Sequence, residues 1–308
     1  MSEIRLDNRV AVVTGSGRGL GRAYALALAA AGAAVVVNDL DEASATETTQ
    51  LISDAGGTGV AEIAAVGDSE SAQQLVDRAV SEFGRLDVML TNAGVLRDRV
   101  LWKMSDEDFD LVIKTHLRGT FTCVRAAAIQ MREQGEGGRI LTVGSPTGQF
   151  GNFGQTNYAA AKAGIAGMVR TWAMELARAG ITANTIVPTA WTEMTATIPI
   201  YAPLVARAAA GEPFPRLVRQ EHAVGMPEDC AGLAVFLASD AAADITGQAI
   251  GIGGDKLTLY THPSEAKFIY LEGGWTAEEI AEAWTEQLAP LRQSVGMSLP
   301  PLDLDKES

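Results

Sequence analysis

Short apolar runs alternate with helical stretches along most of the chain, and this alternation limits the fold more than any other feature. The first run, residues 10–13, has the composition of a buried parallel strand, and a helix rich in small residues follows it. The same order repeats up to a last strand at residues 248–252. It predicts an α/β fold: one doubly wound, Rossmann-type domain with a parallel sheet, helices on both faces and right-handed crossovers. The strands between these two are predicted at residues 34–38, 60–66, 86–90, 139–143 and 181–187.

Two segments do not follow the alternation. Residues 188–226 contain several prolines and little strand pattern, which is typical of a lid over the strand ends. Residues 255–308 form a C-terminal extension of the predicted domain, residues 1–254. Within the extension we expect a strand at residues 256–260 and a helix that Thr276 caps, with Glu279 completing a capping box.

Composition excludes several classes of function. The net charge of −14 argues against nucleic acid or an anionic membrane as a partner. Cys123 and Cys230 lie far apart, and the three histidines are scattered, so no disulfide framework or metal site is predicted. No apolar run is long enough to span a bilayer, and residues 1–9 do not resemble a signal segment. We therefore expect a cytoplasmic protein.

A glycine-rich loop joins the first strand to the first helix, with the spacing Gly15-x-x-x-Gly19-x-Gly21. Glycines at this point allow backbone N–H groups to approach a pyrophosphate. Tight turns also use glycine, but the position at the front of an α/β domain favours a dinucleotide.

Asp39 ends the second strand about twenty residues after the loop and predicts NAD as the cofactor. A carboxylate there accepts hydrogen bonds from ribose hydroxyls and repels a 2′-phosphate. The alternative is that Asp39 or Asp41 only caps the next helix. Arg18 is a counter-signal, because a guanidinium favours a 2′-phosphate. Asp68, expected to end the third strand, is placed either to contact adenine or to cap a helix.

A hydroxyl, a phenol and an ammonium follow one another at fixed spacings. Ser145 follows a predicted strand, Tyr158 comes thirteen residues later, and Lys162 lies one helical turn beyond Tyr158 on the same face. A positive charge beside a phenol lowers the phenol's pKa, so Tyr158 is a candidate proton acceptor. Taken alone, Tyr158 and Lys162 are better interpreted as surface residues of an amphipathic helix.

Together these motifs resemble the short-chain dehydrogenase/reductase family over residues 8–254. The resemblance rests on the glycine loop, Asn92-Ala93-Gly94, Ser145 and Tyr158-x-x-x-Lys162. Residues 37–40, 116–121 and 151–155 also look like the 3-hydroxyacyl-CoA dehydrogenase part of the type 2 multifunctional enzymes of β-oxidation and its bacterial relatives.

The resemblance implies a role for each motif. Ser145 would hold the substrate oxygen, Tyr158 would take the hydroxyl proton, and Lys162 would bind the nicotinamide ribose. His116 stands where many family members have a proton-relaying Asn; the alternative is a core or dimer-interface histidine. The usual Pro-Gly after the sixth strand is Pro188-Thr189 here, which affects the assignment of Thr189 to the carboxamide. The expected cofactor-binding set is Gly15, Arg18, Gly19, Leu20, Gly21, Asp39, Asp68, Asn92, Gly94, Tyr158, Lys162 and Thr189.

The leading hypothesis is an NAD-dependent dehydrogenase that interconverts a secondary alcohol and a ketone, with a 3-hydroxyacyl-CoA as substrate and a homodimer or homotetramer as its assembly. A hydroxysteroid or terpenoid alcohol dehydrogenase is the second hypothesis, and a catalytically silent NAD-binding subunit is the third. Apolar residues in the lid fit a large apolar substrate, or they only pack the lid or form a subunit contact. These residues are Trp191, Met194, Ile198, Ile200, Tyr201 and Phe214.

Overall fold

The computed structural model describes residues 4–196 and 199–302, and within them eight strands form one sheet. The strand order is β3-β2-β1-β4-β5-β6-β7-β8, and only the last pair, β7 and β8, is antiparallel. The α/β, doubly wound fold is therefore confirmed, with one antiparallel strand added at its edge. The strands are Val10–Thr14 (β1), Ala34–Asp39 (β2), Thr58–Ile63 (β3), Val88–Thr91 (β4), Gly138–Val143 (β5), Ile181–Pro188 (β6), Ala249–Gly253 (β7) and Lys256–Tyr260 (β8).

Helices cover both faces of the sheet and divide the apolar core in two. One core joins α1 and α11 to the sheet, and the other joins α3, α5 and α7 to the opposite face. The α-helices are Gly19–Ala30 (α1), Glu42–Asp54 (α2), Ser69–Phe83 (α3), Asp106–Val112 (α4), Gly119–Gln134 (α5), Pro146–Phe150 (α6), Thr156–Glu175 (α7), Glu193–Ala196 (α8), Val205–Ala209 (α9), Arg216–Gln220 (α10), Pro227–Ala238 (α11) and Ala277–Ala283 (α12). None of the helices within the described residues is both long and apolar enough to cross a membrane.

The strand order reverses between β1 and β4, and this places the ligand-binding edge. In open α/β sheets, ligands bind outside the carboxyl ends of the strands at such a switch point. The glycine loop, Asn92 and Ser145 follow β1, β4 and β5, so the fold brings all three to the same edge.

The structure corrects the boundaries of the third strand. β3 ends at Ile63 instead of residue 66, because it pairs only with β2, and Asp39 at the end of β2 lies opposite Ile63. Asp68 therefore does not end a strand. The long helical stretch after β4 is continuous, but residues Ile113–Arg118 form a π-helical segment between α4 and α5.

The lid and the C-terminal extension contact each other. The described part of the lid, residues 188–196 and 199–226, contains short helices, and the extension begins with β8, as expected. The predicted Thr276–Glu279 capping box is present at α12. Further on, Gly296 N–H donates to the Phe150 carbonyl (2.8 Å), and His222 Nε2 lies 2.9 Å from the Pro300 carbonyl oxygen.

The apolar lid residues mainly pack the lid itself. Tyr201 and Phe214 are buried, and Trp191 packs against Phe214 in a tilted arrangement with ring centroids 5.2 Å apart. Ile200 is exposed. Ile198 lies outside the described residues, and the side chain of Met194 is not among those described.

Candidate active site

The glycine loop is held tightly on one side and is open on the other. A Cβ on Gly21 would stand 2.0 Å from the Gly15 carbonyl oxygen, and one on Gly15 would stand 2.7 Å from the Ala93 Cα. Gly19 has φ +55° and nothing within 4 Å of its Cβ position. Only glycine fits the close approaches, and the open space lies where a ligand can reach the backbone.

The N-terminus of α1 has no side chain competing for its N–H groups. Its N-cap residue, Arg18, makes no side-chain cap hydrogen bond, and the first turn contains no acidic residue. In contrast, Asp41, Asp68 and Ser105 cap α2, α3 and α4. Uncapped N–H groups at a helix N-terminus favour an anion, so the loop and α1 fit the pyrophosphate of a dinucleotide.

Asp39, at the end of β2, hydrogen-bonds to the glycine loop and does not cap α2. Its Oδ2 accepts a hydrogen bond from Gly17 N–H (2.9 Å), while Asp41 accepts one from the Ser44 N–H at the start of α2. The capping alternative therefore applies to Asp41. The pKa of Asp41 is lowered mainly by its hydrogen bond with Ser44, and to a smaller extent by the positive charge of Arg18.

Several of the other expected cofactor-binding residues have structural roles. Asn92 Nδ2 donates to the carbonyls of Thr14 (3.1 Å) and Gly15 (2.9 Å), which ties the end of β4 to the loop. Asp68 accepts a hydrogen bond from Ser71 N–H (2.8 Å), as a cap would. Leu20 packs on the core. The sequence-based prediction that these residues contact a cofactor stays a prediction.

Ser145, Tyr158 and Lys162 converge as their order in the sequence predicts. Ser145 is the N-cap of α6, and its hydroxyl lies close enough to the Tyr158 phenol to lower the pKa of that phenol in part. Lys162 Nζ lies 5.5 Å from the Tyr158 ring centroid and donates to the buried Val143 carbonyl (2.6 Å). The three side chains therefore form one cluster where β5, α6 and α7 meet.

Burial reverses the expected direction of the Tyr158 pKa. Burial raises this pKa to about 12, although the Ser145 hydroxyl lowers it in part and Asp98 adds a smaller rise. Burial also lowers the pKa of Lys162 to about 7. The expectation that Lys162 gives Tyr158 a lowered pKa was therefore wrong in direction, because burial is the largest influence on this phenol.

His116 lies inside this cluster. It is 4% exposed, and its ring meets the Tyr158 ring edge-on with centroids 5.1 Å apart. Its Nε2 is 3.0 Å from Val95 N and 2.8 Å from Val95 O, so either neutral tautomer has a partner there. Nδ1 is buried and has no hydrogen-bond partner among the described residues. The π-helical segment carries this ring, and a Cβ on Gly94 would stand 2.2 Å from its Cε1.

Two backbone contributions to the site, from Gly148 and Val95, were not predicted from the sequence. Gly148 of α6 packs directly on α7: a Cβ there would stand 2.7 Å from both C and Cβ of Lys162. The Val95 peptide groups hold His116. A small residue in a short helix after Ser145 was the available signal for Gly148, whereas nothing in the local pattern indicates Val95.

A cavity of about 370 Å³ lies beside these residues, over the ends of β6, β7 and β8. Thr189 is in its wall, and residues of both α6 and the C-terminal extension complete it: Pro146, Phe150, Tyr260, Met297 and Leu299. A larger cavity of about 480 Å³ lies at the opposite edge of the sheet and contains none of the predicted site residues. The smaller cavity is lined by Pro146, the residue after Ser145, but not by Ser145, Tyr158 or Lys162 themselves.

The buried imidazole makes an acid-sensitive contribution to stability. Burial lowers the pKa of His116 to about 3 from its ordinary 6.5, with a further lowering by Lys162. Below pH 6.5 the unfolded chain binds a proton that the folded chain does not, so the free energy of unfolding decreases as the pH falls from 6.5 towards 3. We expect His116 to account for a loss of roughly 1–2 kcal/mol between pH 6.5 and about pH 5.

Urea unfolding of wild type and His116→Asn at pH 6.5 and at about pH 5 measures this contribution of His116 to the free energy of unfolding. The variant should lose less stability than wild type by roughly that amount, whereas His262→Asn, a control at an exposed histidine, should behave as wild type. Equal losses in wild type and His116→Asn would show that His116 is not the group that titrates.

Similar proteins match most of the chain. A family model described as "Enoyl-(Acyl carrier protein) reductase" matches residues 15–254. The chain is 40% identical over 301 residues to the hydroxyacyl-CoA dehydrogenase ChsB1 of Mycobacterium tuberculosis, covering 93% of this chain and 88% of that protein. It is 45% identical over 202 residues to the peroxisomal multifunctional enzyme type 2 of Drosophila melanogaster, covering 63% of this chain and 33% of that longer protein.

A solved structure matches the fold over almost the whole chain. The chain superposes on the crystal structure of a short chain dehydrogenase from Mycobacterium avium with a TM-score of 0.81 and 34% sequence identity. The match covers 96% of this chain and 99% of that chain, so it includes the C-terminal extension as well as the sheet.

Proposed function

The chain belongs to the short-chain dehydrogenase/reductase family of oxidoreductases, and we propose that it interconverts the secondary hydroxyl of a 3-hydroxyacyl-CoA and the corresponding ketone with NAD. The observation that carries this proposal is the convergence of Ser145, Tyr158 and Lys162 at the same edge of the sheet as the glycine loop. We place the substrate in the smaller cavity, whose lining includes Pro146 next to Ser145. Supporting the substrate class, a relative that matches 93% of the chain is named as a hydroxyacyl-CoA dehydrogenase.

The residues of the glycine loop and α1 would hold the dinucleotide, whose nicotinamide supplies the hydride acceptor or donor. Asp39 supports NAD, because a carboxylate at the end of β2 repels a 2′-phosphate. The positive charge of Arg18 acts against this choice, but its attraction to Asp41 offsets it in part. A location in the cytoplasm and a homodimer or homotetramer are further parts of the proposal.

Each catalytic side chain has one task. Ser145 donates a hydrogen bond to the substrate oxygen and stabilises negative charge as it develops there. Tyr158 exchanges the proton of that oxygen. Because burial raises its pKa to about 12, Tyr158 is protonated at neutral pH and is ready to donate in ketone reduction. Alcohol oxidation requires the phenolate, so its rate should rise with pH.

Lys162 and His116 complete the surroundings of the phenol. Burial lowers the pKa of Lys162 to about 7, so the charge of its ammonium group changes with pH near neutrality. When Lys162 is charged, it favours the phenolate form of Tyr158. The low pKa of His116 keeps its imidazole neutral, so the unpartnered Nδ1 can accept or donate a hydrogen bond without adding charge.

A panel of alcohols at alkaline pH, followed by fluorescence of the reduced cofactor, tests the proposal. We expect cofactor reduction with 3-hydroxyacyl-CoAs and NAD, and roughly 100-fold lower kcat/KM with NADP, which corresponds to the loss of about 2.7 kcal/mol of binding. Faster oxidation of free hydroxysteroids would favour the hydroxysteroid or terpenoid hypothesis. No reduction with any secondary alcohol, together with tight NAD binding, would favour a catalytically silent subunit.

A further inference from the structure

The first turn of α7, which carries Tyr158, is held by neighbouring segments instead of by its own cap. Tyr158 is the third residue of the helix, where backbone N–H groups have no partner within the helix. Gln155 occupies the N-cap position, but its side chain makes no cap hydrogen bond. The position of the phenol therefore depends on contacts made by the residues around Gln155.

The Gln155 amide joins three segments. Its Nε2 donates to Asp98 Oδ2 (2.8 Å) in the segment after β4. Its Oε1 accepts from Asn152 Nδ2 (2.9 Å) and from the Thr147 hydroxyl (3.1 Å). Because Thr147 N–H in turn donates to Ser145 Oγ (3.1 Å), Gln155 is linked to the catalytic hydroxyl as well as to Asp98.

A second amide fixes the same segment from inside the protein. Asn157 is fully buried, and its Nδ2 donates to the carbonyls of Arg97 (3.0 Å) and Asp108 (3.3 Å). Its Oδ1 accepts from Tyr158 N–H (2.8 Å). Residues 97–99 are thereby bound to the first turn of α7 on both sides of Asp98.

The charged and titratable groups around the phenol come from three elements. Lys162 is on α7, His116 is on the π-helical segment and is neutral, and Asp98 is on the segment after β4. The negative charge of Asp98 raises the pKa of Tyr158. Gln155 holds that charge in place.

We propose that Gln155, Asn157 and Asp98 are positioning residues for the catalytic phenol: the two amides hold residues 97–99, and with them the charge of Asp98, against the first turn of α7. The proposal rests on the proposed function. It gives a task to part of the segment 151–155, which the resemblance singled out without a role.

Asp98→Asn separates the charge from the geometry. The amide oxygen of Asn still accepts from Gln155, but the negative charge is gone. The acidic limb of kcat/KM for alcohol oxidation should move to lower pH by roughly half a pH unit, a small displacement because Asp98 is exposed. The ultraviolet absorption of the phenolate, with Tyr158→Phe subtracted, should move by the same amount. Asp110→Asn removes an equal charge from an exposed position of α4 and should move neither.

Exchanging the amide and the carboxylate of Gln155 and Asp98 tests the hydrogen bond between these two side chains. Gln155→Glu keeps the acceptor for Thr147 and Asn152 but places a carboxylate against Asp98, and kcat should fall roughly tenfold. The double variant Q155E/D98N restores a donor and an acceptor at this contact, so kcat should recover to within about threefold of wild type. A change that only destabilised the fold would not be rescued in this way.

Two results would overturn the proposal: an unchanged phenolate titration in Asp98→Asn, or a double variant no faster than Gln155→Glu. The titration needs no substrate. If wild type oxidises no alcohol at all, the proposed function fails, and the titration still decides whether Asp98 acts on Tyr158.

Discussion

Replacing Tyr158 by Phe is expected to lower kcat for alcohol oxidation roughly 10²- to 10⁴-fold, the range that general acid–base catalysis contributes. The substitution removes one oxygen atom and leaves the ring against His116. Tyr158 is the phenol whose pKa the Ser145 hydroxyl influences, and the substitution leaves no hydroxyl in its place, so the proton acceptor is lost. NAD affinity, measured by titration calorimetry, should stay within about twofold of wild type, because the glycine loop and Lys162 are untouched.

The matched control is Tyr24→Phe. Tyr24 is fully buried in the α1 core, and its hydroxyl has no hydrogen-bond partner among the described residues. Removing that hydroxyl should leave kcat unchanged and leave stability equal or slightly greater, because an unpaired buried polar group costs about 1–3 kcal/mol. Turnover by Tyr158→Phe within tenfold of wild type would remove Tyr158 from the reaction.

Gly21→Ala is expected to weaken NAD binding by more than about 100-fold and to lower the thermal midpoint by several degrees. Its Cβ would stand 2.0 Å from the Gly15 carbonyl oxygen and 2.6 Å from Asn92 Nδ2. Both atoms belong to the hydrogen bond that ties the loop to β4, so the loop has to move. Calorimetric titration with NAD and a thermal scan without it measure the two effects separately.

Gly84→Ala controls for the general cost of replacing a glycine. Gly84 ends α3 with φ +80° and nothing within 4 Å of its Cβ position, and it is remote from the glycine loop. It should lose roughly 1 kcal/mol of stability through backbone strain and keep its NAD affinity. If Gly21→Ala bound NAD as tightly as this control, the loop would not be the pyrophosphate site.

The pKa values of Tyr158, Lys162 and His116 are shifted by the same cause, the burial of the three side chains. Burial raises the pKa of Tyr158 and lowers the pKa values of Lys162 and His116, so in each case the uncharged form is favoured. Groups held in this way cost stability at some pH and are found preferentially at functional sites.

The pattern of the sequence determined most of the fold. From β1 to β7, strands of four to eight residues are separated by helices, and local periodicity of this kind reports which face of each element is buried. The spacing from Ser145 to Tyr158 and Lys162 placed the hydroxyl, phenol and ammonium correctly, because the ends of parallel strands and one face of a helix meet at predictable positions. The boundaries of β3 were less predictable, since they depend on how far its neighbour β2 extends.

The sequence by itself therefore determined the α/β architecture, the glycine loop at its switch point and the candidate cluster of Ser145, Tyr158 and Lys162, because each is encoded in residues close together along the chain. Only the tertiary structure decided the direction of the Tyr158 pKa, the place of His116 beside the phenol, and the link from Gln155 to Asp98, 57 residues away. It also decided that the extension adds a strand to the sheet and a wall to the cavity. These properties depend on how much water and which distant groups surround a side chain, and packing sets both.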